Sequence, residues 1–130
     1  MRTNNFRTVL FATRRWLRAL CVLAIGVSVV LPAAAMSIRE LRALEKSDKK
    51  QGENYMRYYL VGAMEGALEA HAQGVRNGAK PAICLNGRKL EPRMAESIYT
   101  TELQRNAGVY EADMPVPLVF TNALATVYPC

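Results

Sequence analysis

The stretch ENYMRYYLVGAMEGALEAHAQ, residues 53–73, settles the fold class. Tyr55, Tyr59, Gly62, Gly66 and Ala70 recur in it at three- and four-residue spacing, the period that lines side chains along one face of an α-helix. Arg57, Glu65 and Glu69 fall largely off that line. Gly62, Gly66 and Ala70 form a stripe of small side chains, and each glycine costs a helix about 1 kcal/mol relative to alanine. Something must offset that cost. The spacing therefore predicts a neighbouring helix crossing close over Tyr59, Gly62 and Gly66. A membrane-dimer stripe is the alternative use of such a motif, but Arg57, Glu65, Glu69 and His71 argue against a span.

Upstream, Ser37-Ile38-Arg39-Glu40 has the form of a capping box, with Ser37 as N-cap and Glu40 reaching back to it. Ile38, Leu41 and Leu44 give the short helix that follows one apolar face, and the polar run from Ser47 to Gly52 reads as a loop. Downstream, Gly74, Gly78, Pro81 and Gly87 punctuate a long connection. Its apolar anchor is Ala82-Ile83-Cys84-Leu85. Pro92 opens a third helix, with Met94, Ala95, Ile98, Tyr99 and Leu103 as its buried line, ending near Asn106 to Gly108. A second loop runs from Val109 to Pro115. Val116, Phe120, Ala123, Leu124 and Val127 give a last helix that Pro129 ends. Sustained alternation is missing, so the expected fold is all-α: a small bundle of about four helices.

Residues 1–35 have the three parts of a secretory leader. Arg2, Arg7, Arg14, Arg15 and Arg18 form a basic start, Ala19 to Leu31 a short apolar stretch, and Ala33-Ala34-Ala35 supplies small side chains at −3 and −1. Cleavage between Ala35 and Met36 is expected, leaving residues 36–130 as one domain with no stable membrane span. An uncleaved anchor is the alternative, because Trp16 and Leu17 could lengthen the stretch towards the roughly 18–20 residues that a span needs. Arg18 stands where a twin-arginine signal wants an apolar residue. Cys21 is not at the end of the stretch, where a lipoprotein cysteine would lie.

All eleven acidic residues but only twelve of the seventeen lysines and arginines follow residue 35, so the mature charge is 12 − 11 = +1. That excludes the strongly basic domain of a typical nucleic-acid binder. Two cysteines remain, Cys84 and Cys130, and in an exported chain an even pair reads as a disulfide. The oxidising periplasm is the expected compartment. Closing so long a loop is worth roughly 4 kcal/mol on the chain-entropy model.

Chemistry is sparse in the sequence. His71 is the chain's only histidine, which leaves zinc without a ligand set. Glu65 and Glu69 are an i, i+4 pair of the kind that usually faces solvent. Neither a phosphate-cradling glycine loop nor a nucleophile with its base stands out, so neither an enzyme nor a cofactor is expected. Binding is the remaining chemistry, and loops on a rigid frame commonly carry it. Asn86, Arg88 and Lys89 form a basic turn beside Cys84, and Tyr110, Glu111 and Asp113 form an aromatic-acidic one. These six are the candidate partner-binding residues.

The order Tyr59-x-x-Gly62-x-x-x-Gly66, Ile83-Cys84-Leu85, a helix-length segment, Ala123-Leu124 and a terminal Tyr128-Pro129-Cys130 resembles the Rap/Tai immunity proteins. The resemblance covers roughly residues 55–130. Asn86 stands where many relatives have proline, and Glu65 where aspartate is common. The resemblance implies an exported, all-helical protein that binds and blocks a peptidoglycan amidase effector of a type VI secretion system. A periplasmic helical chaperone or envelope-stress protein is the competing expectation, and a homodimer is a further assembly open to the chain.

Overall fold

The computed structural model describes residues 34–130, which form four helices: α1 (Ile38–Ser47), α2 (Gly52–Arg76), α3 (Met94–Arg105) and α4 (Val116–Val127). Among the described residues there is no β-strand, only isolated bridges pairing Ser37 with Pro115 and Ile83 with Pro129. The basic start and apolar stretch of the expected leader, and Cys21 with them, lie outside the described residues; Ala34, Ala35 and Met36 lie within them.

The capping box forms as the sequence predicts. Ser37 Oγ accepts from Glu40 N, and the Glu40 carboxylate accepts from Ser37 N at 2.7 Å. The next two orphan donors of the first turn are taken up by the 109–115 segment: Ile38 N donates to Met114 O at 3.0 Å, and Arg39 N to Ala112 O at 2.8 Å. A helix start leaves four backbone N–H groups without helical partners. Here capping and tertiary contact satisfy them together.

Between α1 and α2, Asp48 Oδ1 accepts from Lys50 N and Gln51 N, turning the chain in four residues. Gly52 then starts α2 pressed against the end of α1. A Cβ on Gly52 would stand 2.0 Å from the Glu45 carbonyl oxygen, so the close backbone approach of this fold occurs there.

α2 runs past Gln73 to Arg76, longer than its periodicity predicts. Its inward side chains are Met56, Leu60, Ala63, Met64 and Ala67. They meet Ile38 and Leu41 from α1, Ala95 and Tyr99 from α3, and Val116, Val119, Phe120 and Leu124 from α4. The rings of Tyr99 and Phe120 pack with centroids 6.0 Å apart. α2 is the central element, touching all three other helices, while α3 also packs on α4.

The predicted packing over Gly62 and Gly66 does not occur. Among the described residues both glycines are exposed, and a Cβ on either would meet nothing within 4 Å. The physical reason is rotational: consecutive helical residues differ by about 100°, and the buried line starts at Met56 instead of Tyr55. The small-residue stripe lies to one side of the core. Tyr59 alone of that predicted trio makes an internal contact, half-buried, with its hydroxyl accepting from Met36 N at 2.9 Å. In the later helices the differences are smaller. Pro92 sits in the turn before α3, Glu102 is on its buried side, and Val127 faces outward.

Candidate interaction surface

The disulfide forms between Cys84 and Cys130, with Cα atoms 4.9 Å apart. It closes a corner with several other fastenings. Cys84 N donates to Tyr128 O at 2.8 Å, and Ile83 is buried. His71 Nε2, on α2, accepts from Ala82 N at 3.0 Å and from Ile83 N at 3.2 Å. That geometry requires the imidazole tautomer with its proton on Nδ1. The lone histidine, half-buried, is the latch that holds the returning segment to α2.

The basic turn grows from this corner. Asn86 and Gly87 both take positive φ, 51° and 80°, and Arg88 N donates to Leu85 O at 3.0 Å. This is the type I′ pattern, for which Asn-Gly is the favoured pair. Arg88 is engaged within the fold: its Nε donates to Leu85 O, and its guanidinium lies over the buried Tyr128 ring, 4.9 Å from the centroid. Asn86 and Lys89 are exposed.

The 109–115 segment is fastened still more firmly. The Tyr110 hydroxyl donates to Glu102 Oε1 at 2.7 Å and accepts from Asn122 Nδ2 at 3.0 Å. Glu102 is only 2 % exposed and also accepts from Asn106 Nδ2 at 2.7 Å, with Arg105 3.5 Å away. Burial pushes the Tyr110 phenol above its ordinary range; the Asn122 bond acts the other way, and Glu102 raises it further. Asp113 pairs with Arg39 at 3.0 Å on the surface, and Glu111 is exposed. Tyr110 therefore ties α3 to α4, and the segment straps the start of α1.

The two predicted loops are not brought together. One precedes α4 and the other meets its far end, so a twelve-residue helix of about 18 Å separates them.

The exposed aromatic surface is on α2. Tyr58 is 78 % exposed and Tyr55 48 %, the largest such pair on one element of the described fold. Tyr58 is a ridge between two hollows. On one side Arg57, Val61, Pro92 and Arg93 line a recess between α2 and the start of α3. On the other side lies an apolar groove between α2 and α4, floored by Gly62 and Gly66 and walled by Pro117 and Leu118. Arg57 is held in place by Glu53 and by Glu96, the latter at 3.0 Å. The sequence signal was the run Tyr55-x-x-Tyr58-Tyr59, in which only the last tyrosine lies against the core.

Among the described residues no three His, Cys, Asp or Glu side chains are grouped to hold a metal ion, and no helix is long and apolar enough to cross a membrane. The architecture is that of a four-helix, disulfide-clamped domain with an aromatic ridge. No family model, curated protein or solved structure matches the chain.

Proposed function

We propose that this is an exported binding protein, and that it works as an immunity protein: it occupies the cleft of a peptidoglycan amidase effector of a type VI secretion system. The observation that carries the reading is Tyr58, 78 % exposed on α2 and flanked by an arginine-bearing recess and an apolar groove. Tyrosine and arginine dominate interface hot spots because they combine large contact area with hydrogen-bonding tips. A convex ridge also suits a concave enzyme cleft, and placement on a helix anchored to three others limits the ordering entropy of binding. The resemblance of its motif order to the Rap/Tai proteins suggests the partner class, and the Cys84–Cys130 bond is compatible with an oxidising compartment.

On this reading Tyr58 and Arg93 are the primary contacts, with Asn86 and Lys89 free to add a peripheral one. Arg88 and Tyr110 hold the scaffold. Calorimetric titration of the exported protein into an amidase encoded by an adjoining gene tests this. A one-to-one complex that Tyr58→Ala weakens at least about thirtyfold, equivalent to about 2 kcal/mol, is expected. Equal affinity of the variant and the wild type would move the interface elsewhere. Absence of binding, together with suppression of aggregation of unrelated periplasmic proteins, would favour the chaperone.

A further inference from the structure

We propose that the Ala35–Met36 bond is the processing site and that the α-ammonium released there is seated by the Tyr59 hydroxyl beside the Glu40 carboxylate, so that losing the leader tightens the fold.

Among the described residues, hydrogen-bonded order begins at this bond. Met36 N donates to Tyr59 Oη at 2.9 Å, across 23 residues of chain. The Met36 carbonyl accepts from Val116 N at 3.0 Å, and its side chain is packed against the core. From Ser37 onward every first-turn donor of α1 has its acceptor. Ala34 and Ala35, one step earlier, are exposed. The small residues that suit a leader peptidase therefore end where the tertiary bonding starts.

Hydrolysis adds the hydroxyl of water to the Ala35 carbonyl carbon and a proton to the Met36 nitrogen. That nitrogen then takes up a second proton from solvent and becomes an ammonium, since an α-amine is largely protonated at neutral pH. An amide nitrogen offers Tyr59 one neutral donor. The ammonium offers three donors and a charge, and charge-assisted hydrogen bonds are roughly twice as strong. A bare cation at the start of α1 would oppose the helix dipole. Glu40 offsets it: its carboxylate is fixed in that same turn by Ser37 and borders the same cleft as Met36 and Tyr59. Its charge also reaches the Tyr59 phenol, which is pushed above its ordinary range first by burial and further by Glu40, against the lowering effect of the Met36 bond. The Met36 nitrogen thus has an acceptor oxygen in hydrogen-bond contact and a fixed carboxylate lining the same cleft.

The test uses the full chain, exported from a bacterial host and purified with whatever N-terminus processing leaves. Intact mass should place that terminus at Met36. The α-amine, less basic than lysine, can be acylated selectively at mildly acidic pH, which returns Met36 N to a single amide donor. The acylated protein should melt about 4–8 °C lower, the shift that about 1 kcal/mol produces in a domain of this size. In Tyr59→Phe the difference between free and acylated protein should shrink to a small fraction of that value. Glu40→Gln, which retains a capping side chain, should shrink it as well. A terminus elsewhere, an unchanged melting temperature on acylation, or a full difference persisting in both variants would overturn the seat. None of these outcomes depends on which protein the domain binds.

Discussion

The side chain of Glu102 is buried, and a buried polar group needs hydrogen-bond partners. Asn106 and Tyr110 supply them from one helical turn and one loop away, and Asn122 completes the network from α4. Tyr110→Phe removes one hydrogen bond to a buried carboxyl group and should cost about 1–3 kcal/mol, read as a lowered urea midpoint. The same phenol predicts an alkaline limit. Burial pushes the Tyr59, Tyr99 and Tyr110 phenols above their ordinary value of about 10. The unfolded phenols then ionise first, so the stability these groups contribute is intact below about pH 10 and is lost as pH rises through the folded values. The urea midpoint should fall above about pH 10, and less steeply in Tyr110→Phe. A midpoint that climbs with pH in that range would contradict this origin.

Among the helices, close approach and exposure exchange places relative to the sequence expectation. Gly52 is the glycine that the packing requires, because any Cβ there collides with the backbone of α1. Gly52→Ala should destabilise by about 1–3 kcal/mol or more, as overpacking does. Gly66→Ala should do the reverse, raising stability by up to about 1 kcal/mol through helix propensity alone. A fall in melting temperature for Gly66→Ala would reveal a neighbour over the stripe. The helical period of residues 53–73 was legible, as were the capping box of Ser37 and Glu40 and the inward Phe120 and Leu124. The rotation of α2 was not, because Tyr55 and Tyr59 imitate core residues: aromatic rings can be half-buried with a polar tip outward, and Met56 and Met64 are adaptable core fillers that leave a weaker pattern. The roles of Tyr110, His71 and Arg88 were hidden for a different reason. Each depends on a partner brought near only by the fold, namely Glu102 and Asn122, Ala82 and Ile83, and Tyr128.

For the molecule as a whole, the Cys84–Cys130 bond fixes the end of α4 to the segment that returns from α2. Cys130→Ser should cost about 2–5 kcal/mol, as removal of a native disulfide does in small secreted domains, and should leave the Tyr58 ridge chemically unaltered. The fastened loops and the unfastened ridge divide the surface into parts that hold the domain together and a part free to meet a partner. On the proposed immunity reading, that division is tested most directly by peptidoglycan cleavage under a candidate amidase partner, titrated with wild type, Tyr58→Ala and Tyr110→Phe at a temperature where all three are folded. The account predicts complete inhibition at one equivalent for wild type and Tyr110→Phe, and at least about thirtyfold weaker inhibition for Tyr58→Ala. Undiminished inhibition by Tyr58→Ala, or unimpeded cleavage in the presence of excess wild type, would contradict it.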